Sequence, residues 1–137
     1  ALFEQVQLAR TEAIKQSADV GVYFSANGST TWSLALSTNT ACDPAANTNC
    51  VVATSGGDFN YRVTSAGFDG MSLQESFTGS SFVFDWKRGI VANAGTFELT
   101  SPSGFKTQLV VGPIGRTRLC SPNGAVSLYS SSECDEL

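Results

Sequence analysis

The chain has 137 residues, 15% of them charged, with 8 Lys and Arg against 12 Asp and Glu for a formal net charge of −4. That length suits one domain with a sizeable core, and the slightly acidic balance argues weakly against nucleic acid as a partner. There is no histidine, which removes the commonest general base, the Ser/His and Cys/His nucleophile pairs and the usual transition-metal ligand.

Residues 1–17 read as the one convincing helix. At about 100° per residue, Leu2, Phe3, Val6, Ala9, Ala13 and Ile14 fall within an arc of roughly 140°. Glu4, Gln7, Thr11, Glu12, Lys15 and Gln16 take the rest of the circumference. Arg10 points into the apolar arc, where its aliphatic stem can lie along the core edge with the head in water. Leu8 sits on the polar side, placed to touch a second subunit if the other flank is committed to a core. No Ser, Thr, Asp or Asn caps the helix before Leu2, and the apolar pattern already runs at Ala1. A helix without a start signal reads as one cut from a longer one, so a missing N-terminal helical segment is expected. No apolar run approaches the ~18 residues needed to cross a membrane.

After the helix the period changes to two. Val20, Val22 and Phe24 alternate with Gly21 and Tyr23, Asn27-Gly28 gives the strongest short hairpin signal in the chain, and Trp32, Leu34 and Leu36 alternate in the return strand. Residues 38–49 carry Asn, Thr, Ala, Asp and Pro without periodicity and read as a loop. Strand-like runs resume at 50–54 and 59–64, with Phe59, Tyr61 and Val63 on one face. They continue at 71–77 and at 82–86, with Phe82, Phe84 and Trp86 on one face. Phe97 and Leu99, then 105–111, 116–120 and 126–129, complete the set. Eight to ten short strands after one helix predict a single α+β domain over 1–137, antiparallel sheet packed on a helical spine.

The four cysteines, Cys42, Cys50, Cys120 and Cys134, lack Cys-x-x-Cys spacing, so no zinc site is expected. Of the three pairings open to them, Cys42–Cys50 and Cys120–Cys134 are preferred, because each closes a short loop rich in Asn, Pro, Gly and Ser. Loop-closure entropy gives each about 2.5–3 kcal/mol, and both imply an oxidising compartment. No catalytic constellation, nucleophile elbow, phosphate loop or calcium-loop spacing is present, so no enzyme activity, metal or cofactor is expected. Charge is segregated: from Lys87 to Arg118 five basic residues (Lys87, Arg88, Lys106, Arg116, Arg118) face one acid, Glu98, while Glu133, Asp135 and Glu136 cluster in the tail.

Three separated signatures stand in order along the chain. They are Leu8-Ala9-Arg10-Thr11-Glu12-Ala13-Ile14-Lys15; then Phe84-Asp85-Trp86-Lys87-Arg88-Gly89 with Gly95-Thr96-Phe97-Glu98-Leu99; then Val110-Val111-Gly112 with Gly115-Arg116-Thr117-Arg118-Leu119-Cys120. In that order and spacing they resemble the minor pilins and pseudopilins of the FimU, FimT and GspH group, over nearly the whole chain. The resemblance implies a pilin-like fold. It also implies a hydrophobic first half of the helix that anchors the protein in the inner membrane and later packs in a filament core. The β domain would then be displayed outside, on the pilus or cell surface. The expected function is that of a FimU-like minor pilin in the priming or tip complex of a type IV pilus, with other minor pilins and the major pilin as partners. Leu2, Phe3 and Leu8 are then the candidate subunit contacts. Two alternatives stand beside it. One is DNA capture, as in the FimT branch, through Arg116 and Arg118 with Lys87 and Arg88, since a Gly-x-Arg loop with two guanidiniums on one side of a strand suits a phosphate backbone. The other is a GspH-like minor pseudopilin of type II secretion.

Overall fold

The structure is a computed structural model, and it describes residues 2–25, 30–68, 70–77, 81–91, 95–104, 106–112 and 114–120. Among the described residues one α-helix, α1 (Leu2–Gln16), is followed by ten strands: β1 (Val20–Ser25), β2 (Ser33–Ser37), β3 (Val52–Thr54), β4 (Gly57–Phe59), β5 (Arg62–Thr64), β6 (Ser72–Glu75), β7 (Ser81–Phe84), β8 (Gly95–Thr100), β9 (Lys106–Val111) and β10 (Thr117–Cys120). They form two four-stranded antiparallel sheets, in the orders β5-β2-β1-β7 and β10-β9-β8-β6, and a ribbon of β3 and β4. The α+β expectation holds: one N-terminal helix packs on antiparallel sheets.

The β1–β2 hairpin follows the alternation in the sequence. Val22 pairs with Leu36 and Phe24 with Leu34, and all four side chains enter the core. The second sheet contributes Leu73, Phe97, Leu109 and Val111 from its inner face. Aromatic rings join the two sheets: Phe24 meets Phe97 edge-on at 4.9 Å, and Phe77 stacks on Phe82 at 4.4 Å. These are separations at which ring pairs add to simple burial.

α1 lies against β1 and β7 of one sheet and β10 of the other. It ends in a Schellman motif, with Ser17 left-handed at φ 52°, its N–H on Ile14 O at 3.4 Å and Ala18 N–H on Ala13 O at 3.2 Å. Its buried flank is not the one the periodicity predicts. Val6, Ala9 and Ala13 are fully buried as expected, but Glu12 is buried and Ile14 is 53% exposed. At 100° per residue the buried arc is turned by about 60° from the apolar pattern, away from Ile14 and towards Leu8. Gln7 Nε2–H donates to Thr117 Oγ1 on β10, and Arg10 Nε–H donates to Gly89 O at 3.3 Å, which tie the helix to the domain. Gln16 Nε2–H donates to the buried Glu12 carboxylate at Oε2, 3.1 Å away.

Other departures have equally local causes. The run 59–64 is not one strand. It breaks between β4 and β5, where Asn60 Nδ2–H donates to Cys50 O at 2.7 Å, and its halves join different sheets. Trp86 does not continue the Phe82–Phe84 face: β7 ends at Phe84 and Trp86 is 38% exposed. Asp19 Oδ1 accepts from Trp86 N–H at 3.1 Å and Asp85 Oδ1 from Lys87 N–H at 2.7 Å, turning the chain there. β2 is buried at all five positions rather than at alternate ones. The loop after it folds back on the sheet: Ser37 Oγ–H donates to Asn49 O at 2.9 Å, and Arg62 donates to Pro44 O at 2.9 Å and Ala45 O at 3.3 Å. The Cys42–Cys50 disulfide, as expected, closes this loop, with Cα atoms 4.6 Å apart. The expected Cys120–Cys134 pairing, the 126–129 strand and the Asn27-Gly28 turn fall outside the described residues.

Candidate functional site

The three sequence signatures meet in space. After β7, Asp85 O accepts from Gly89 N–H at 2.7 Å and Ile90 O from Asp85 N–H at 3.0 Å, closing a tight turn over 85–90. Between β9 and β10, Gly112 O accepts from Gly115 N–H at 3.0 Å and Arg116 O from Gly112 N–H at 2.8 Å, closing a second. The two turns touch through their glycines beneath the Arg10 side chain. Gly89 is at φ 66° and Gly115 at φ 82°, a region that favours glycine. A β-carbon on Gly115 would lie 1.9 Å from Gly89 O and 3.2 Å from Arg10 Nε. Gly115 therefore permits the close approach of the two backbones, and Arg10 bonds the carbonyl at the contact.

This junction decides where the predicted basic residues go. Lys87 and Arg88 sit on the first turn and Arg116 on the second; all three are exposed and lie within two residues of the Gly89–Gly115 contact. Among the described residues no carboxylate forms an ion pair with them. Lys87 Nζ lies 5.5 Å above the Trp86 ring, a cation–π distance. Ile114 is 64% exposed beside them. Arg118 is placed differently. It is half-buried in β10 opposite Val110, while its neighbours Thr117 and Leu119 turn to the helix and core. Lys106 is engaged elsewhere, 3.6 Å from Glu98 Oε1 on the outer face of its sheet.

The predicted subunit contacts separate in a similar way. Leu8 is half-buried and packs on the core. Leu2 and Phe3 open α1, and their side chains lie outside the described residues. Glu4, Thr11, Ile14 and Lys15 are exposed and make a continuous outer flank. Ile14 was missed as a candidate because its apolar character placed it in the core stripe; only its 53% exposure in the fold reveals it as surface.

A family model described as type II transport protein GspH matches residues 1–115. The chain belongs to the GspH family. The match takes in the helix, the turn carrying Gly89 and the chain up to Gly115, so all three members of the junction lie within the GspH domain. No curated protein and no solved structure matches the chain. Membership in the GspH family carries a pilin- or pseudopilin-like structural role, with assembly alongside other pilins or pseudopilins.

Proposed function

We propose that the protein is a non-enzymatic minor pilin of a type IV pilus, acting in the priming or tip complex, where it links other minor pilins to the major pilin. It is held in the inner membrane before assembly and displays its β domain outside afterwards. The observation that carries this reading is the two-sided helix. One flank of α1 is welded to the domain through Val6, Ala9 and Ala13, while Glu4, Thr11, Ile14 and Lys15 stay uncovered on the other. A helix finished on one flank only is suited to lie against other helices. Exposed Ile14, ringed by polar neighbours, supplies apolar area there without becoming a large patch. The test is genetic and biochemical together. Deletion in the native host is expected to abolish surface piliation, and Ile14→Asp to weaken pull-down of sister minor pilins while the isolated domain stays folded. Loss of type II secretion with intact pili would assign the chain to a secretion pseudopilus instead.

A second reading, DNA capture, is supported by the Gly89–Gly115 contact, which puts Lys87 and Arg88 beside Arg116. About three phosphate contacts would make affinity fall with rising salt. Binding of duplex DNA at about 50 mM salt, reduced in Lys87→Ala/Arg88→Ala and in Arg116→Ala, is expected on this reading, and no binding at that salt removes it.

A further inference from the structure

The outer face of the first sheet holds a cleft that the pilin reading does not use. It has a volume of about 360 Å³ and lies between the ends of β1, β2 and β5 and the turn of the disulfide loop at Ala45. Ser25 pairs with Ser33 and Ser33 with Thr64, so three hydroxyl side chains cross three strands in register on one face. At about 4.8 Å per strand that row is roughly 10 Å long. Arg62 lies two residues from Thr64 on the same face and also lines the cleft.

Two features of these side chains bear on what the cleft can hold. Ser33 is 5% exposed, lines the cleft, and its hydroxyl has no hydrogen-bond partner among the described residues. A hydroxyl that bonds no protein group keeps both its proton and its lone pairs for a ligand. Arg62, in turn, is held still. Its Nε–H and one Nη–H bond the Pro44 and Ala45 carbonyls, which leaves three of the five guanidinium N–H groups free, and no described carboxylate pairs with it. Beside it, Thr64 Oγ1 accepts from Ala66 N–H at 3.4 Å and Ser65 Oγ from Trp32 N–H at 3.2 Å, so both hydroxyl protons remain available to donate. Among the described residues the cleft is thus rich in donors and carries one fixed cation and no acid. Trp32 reaches it but is only 2% exposed, so there is no open aromatic face for stacking.

We infer that this cleft binds a sugar acid, with the carboxylate on the Arg62 guanidinium and the ring hydroxyls along the Ser25–Ser33–Thr64 row. The fixed guanidinium and surplus donors select a carboxylate. The length of the row and the cleft volume select something larger than acetate, and hydroxyls that both donate and accept suit a polyol.

The experiment is a titration of the ¹⁵N-labelled protein, followed by amide and Arg Nε shifts, with glucuronate and galacturonate as probes and glucose, acetate and inorganic phosphate as controls. Saturable shifts at residues 31–33 and 62–66 with a uronate, about tenfold weaker with glucose and with acetate, are expected. Ser33→Ala and Thr64→Val are expected to weaken uronate binding several-fold. Ser33→Ala should do so without lowering the melting temperature, because it removes an unpaired hydroxyl, whereas a hydroxyl serving the fold would cost stability when removed. Arg62→Lys should abolish the preference for uronate over glucose; if it also loosens the Pro44–Ala45 turn, the two hydroxyl variants still decide the matter. No saturable shift with either uronate, equal binding of acetate or phosphate, or uronate binding unchanged in Ser33→Ala and Thr64→Val would each overturn the inference.

Discussion

Replacing Gly115 by alanine would put a methyl group 1.9 Å from Gly89 O on a backbone already at φ 82°. Relief requires parting two turns that Arg10 also bridges, so a loss of about 3 kcal/mol or more is expected by denaturant unfolding. Gly104, at φ 90° with nothing within 4 Å of its β-carbon position, serves as the control, because only the dihedral penalty applies there. Gly104→Ala is expected to cost about 1 kcal/mol. A second residue-level expectation concerns Glu75. One carboxylate oxygen is buried without a partner among the described residues, and desolvation by burial raises its pKa from the ordinary glutamate value. A carboxyl whose folded pKa is raised favours the native state while protonated. That contribution is complete below its unfolded pKa and disappears as pH rises through the folded one. Glu75→Gln is therefore expected to raise the melting temperature at neutral pH and to leave it unchanged near pH 4, at the foot of the carboxylate range. An equal shift at both pH values would mean that ionisation is not the cause.

Among the elements, the pairing of β1 with β2 was the most legible, because its pattern needs only neighbours to make sense: alternating apolar residues either side of an Asn-Gly pair in the sequence. The helix was legible in place but not in roll. Residues 2–16 announce themselves by periodicity, yet Leu8 packs on the core and Ile14 is exposed, a choice set by the sheets the helix meets, which no local pattern encodes. β2 shows the same limit. Its alternation names one inner face correctly, while its outer face is covered by a loop whose folding back depends on Arg62, Ser37 and the Cys42–Cys50 bridge. That bridge makes its own prediction. Joining residues eight apart, it is expected to contribute about 2.5 kcal/mol by loop closure, so Cys42→Ser/Cys50→Ser should lower the unfolding midpoint accordingly. If the loop alone shields β2, amide exchange at Ala35 and Ser37 is expected to be faster in the same variant than in the parent. As for the candidate sites, the basic residues were visible in the sequence as a charge run. Their sorting into exposed Lys87, Arg88 and Arg116 against half-buried Arg118 was not. The Ser33–Arg62 cleft left no trace in the sequence, since isolated serines in strands look like ordinary surface.

For the molecule as a whole, an arginine on the helix and a glycine on each of two turns make one joint, and all three lie within the stretch that the GspH family model matches. A joint of this kind holds a helix to a β domain, and it does not separate a pilus from a secretion apparatus. The distinction must come from surfaces the joint does not involve, and Ile14→Asp offers a direct reading of one: assembly lost, with thermal stability within about 0.5 kcal/mol of the parent, as for a surface substitution. The same joint sets a timetable. Gln7 must await Thr117, 110 positions later, and Arg10 must await Gly89, 79 later. Chains emerge amino end first, and distant closures are slow. The helix is thus made before the partners that pin it, and although β1 can cover its apolar stripe early, its final seating waits for the turn at Gly89 and for β10.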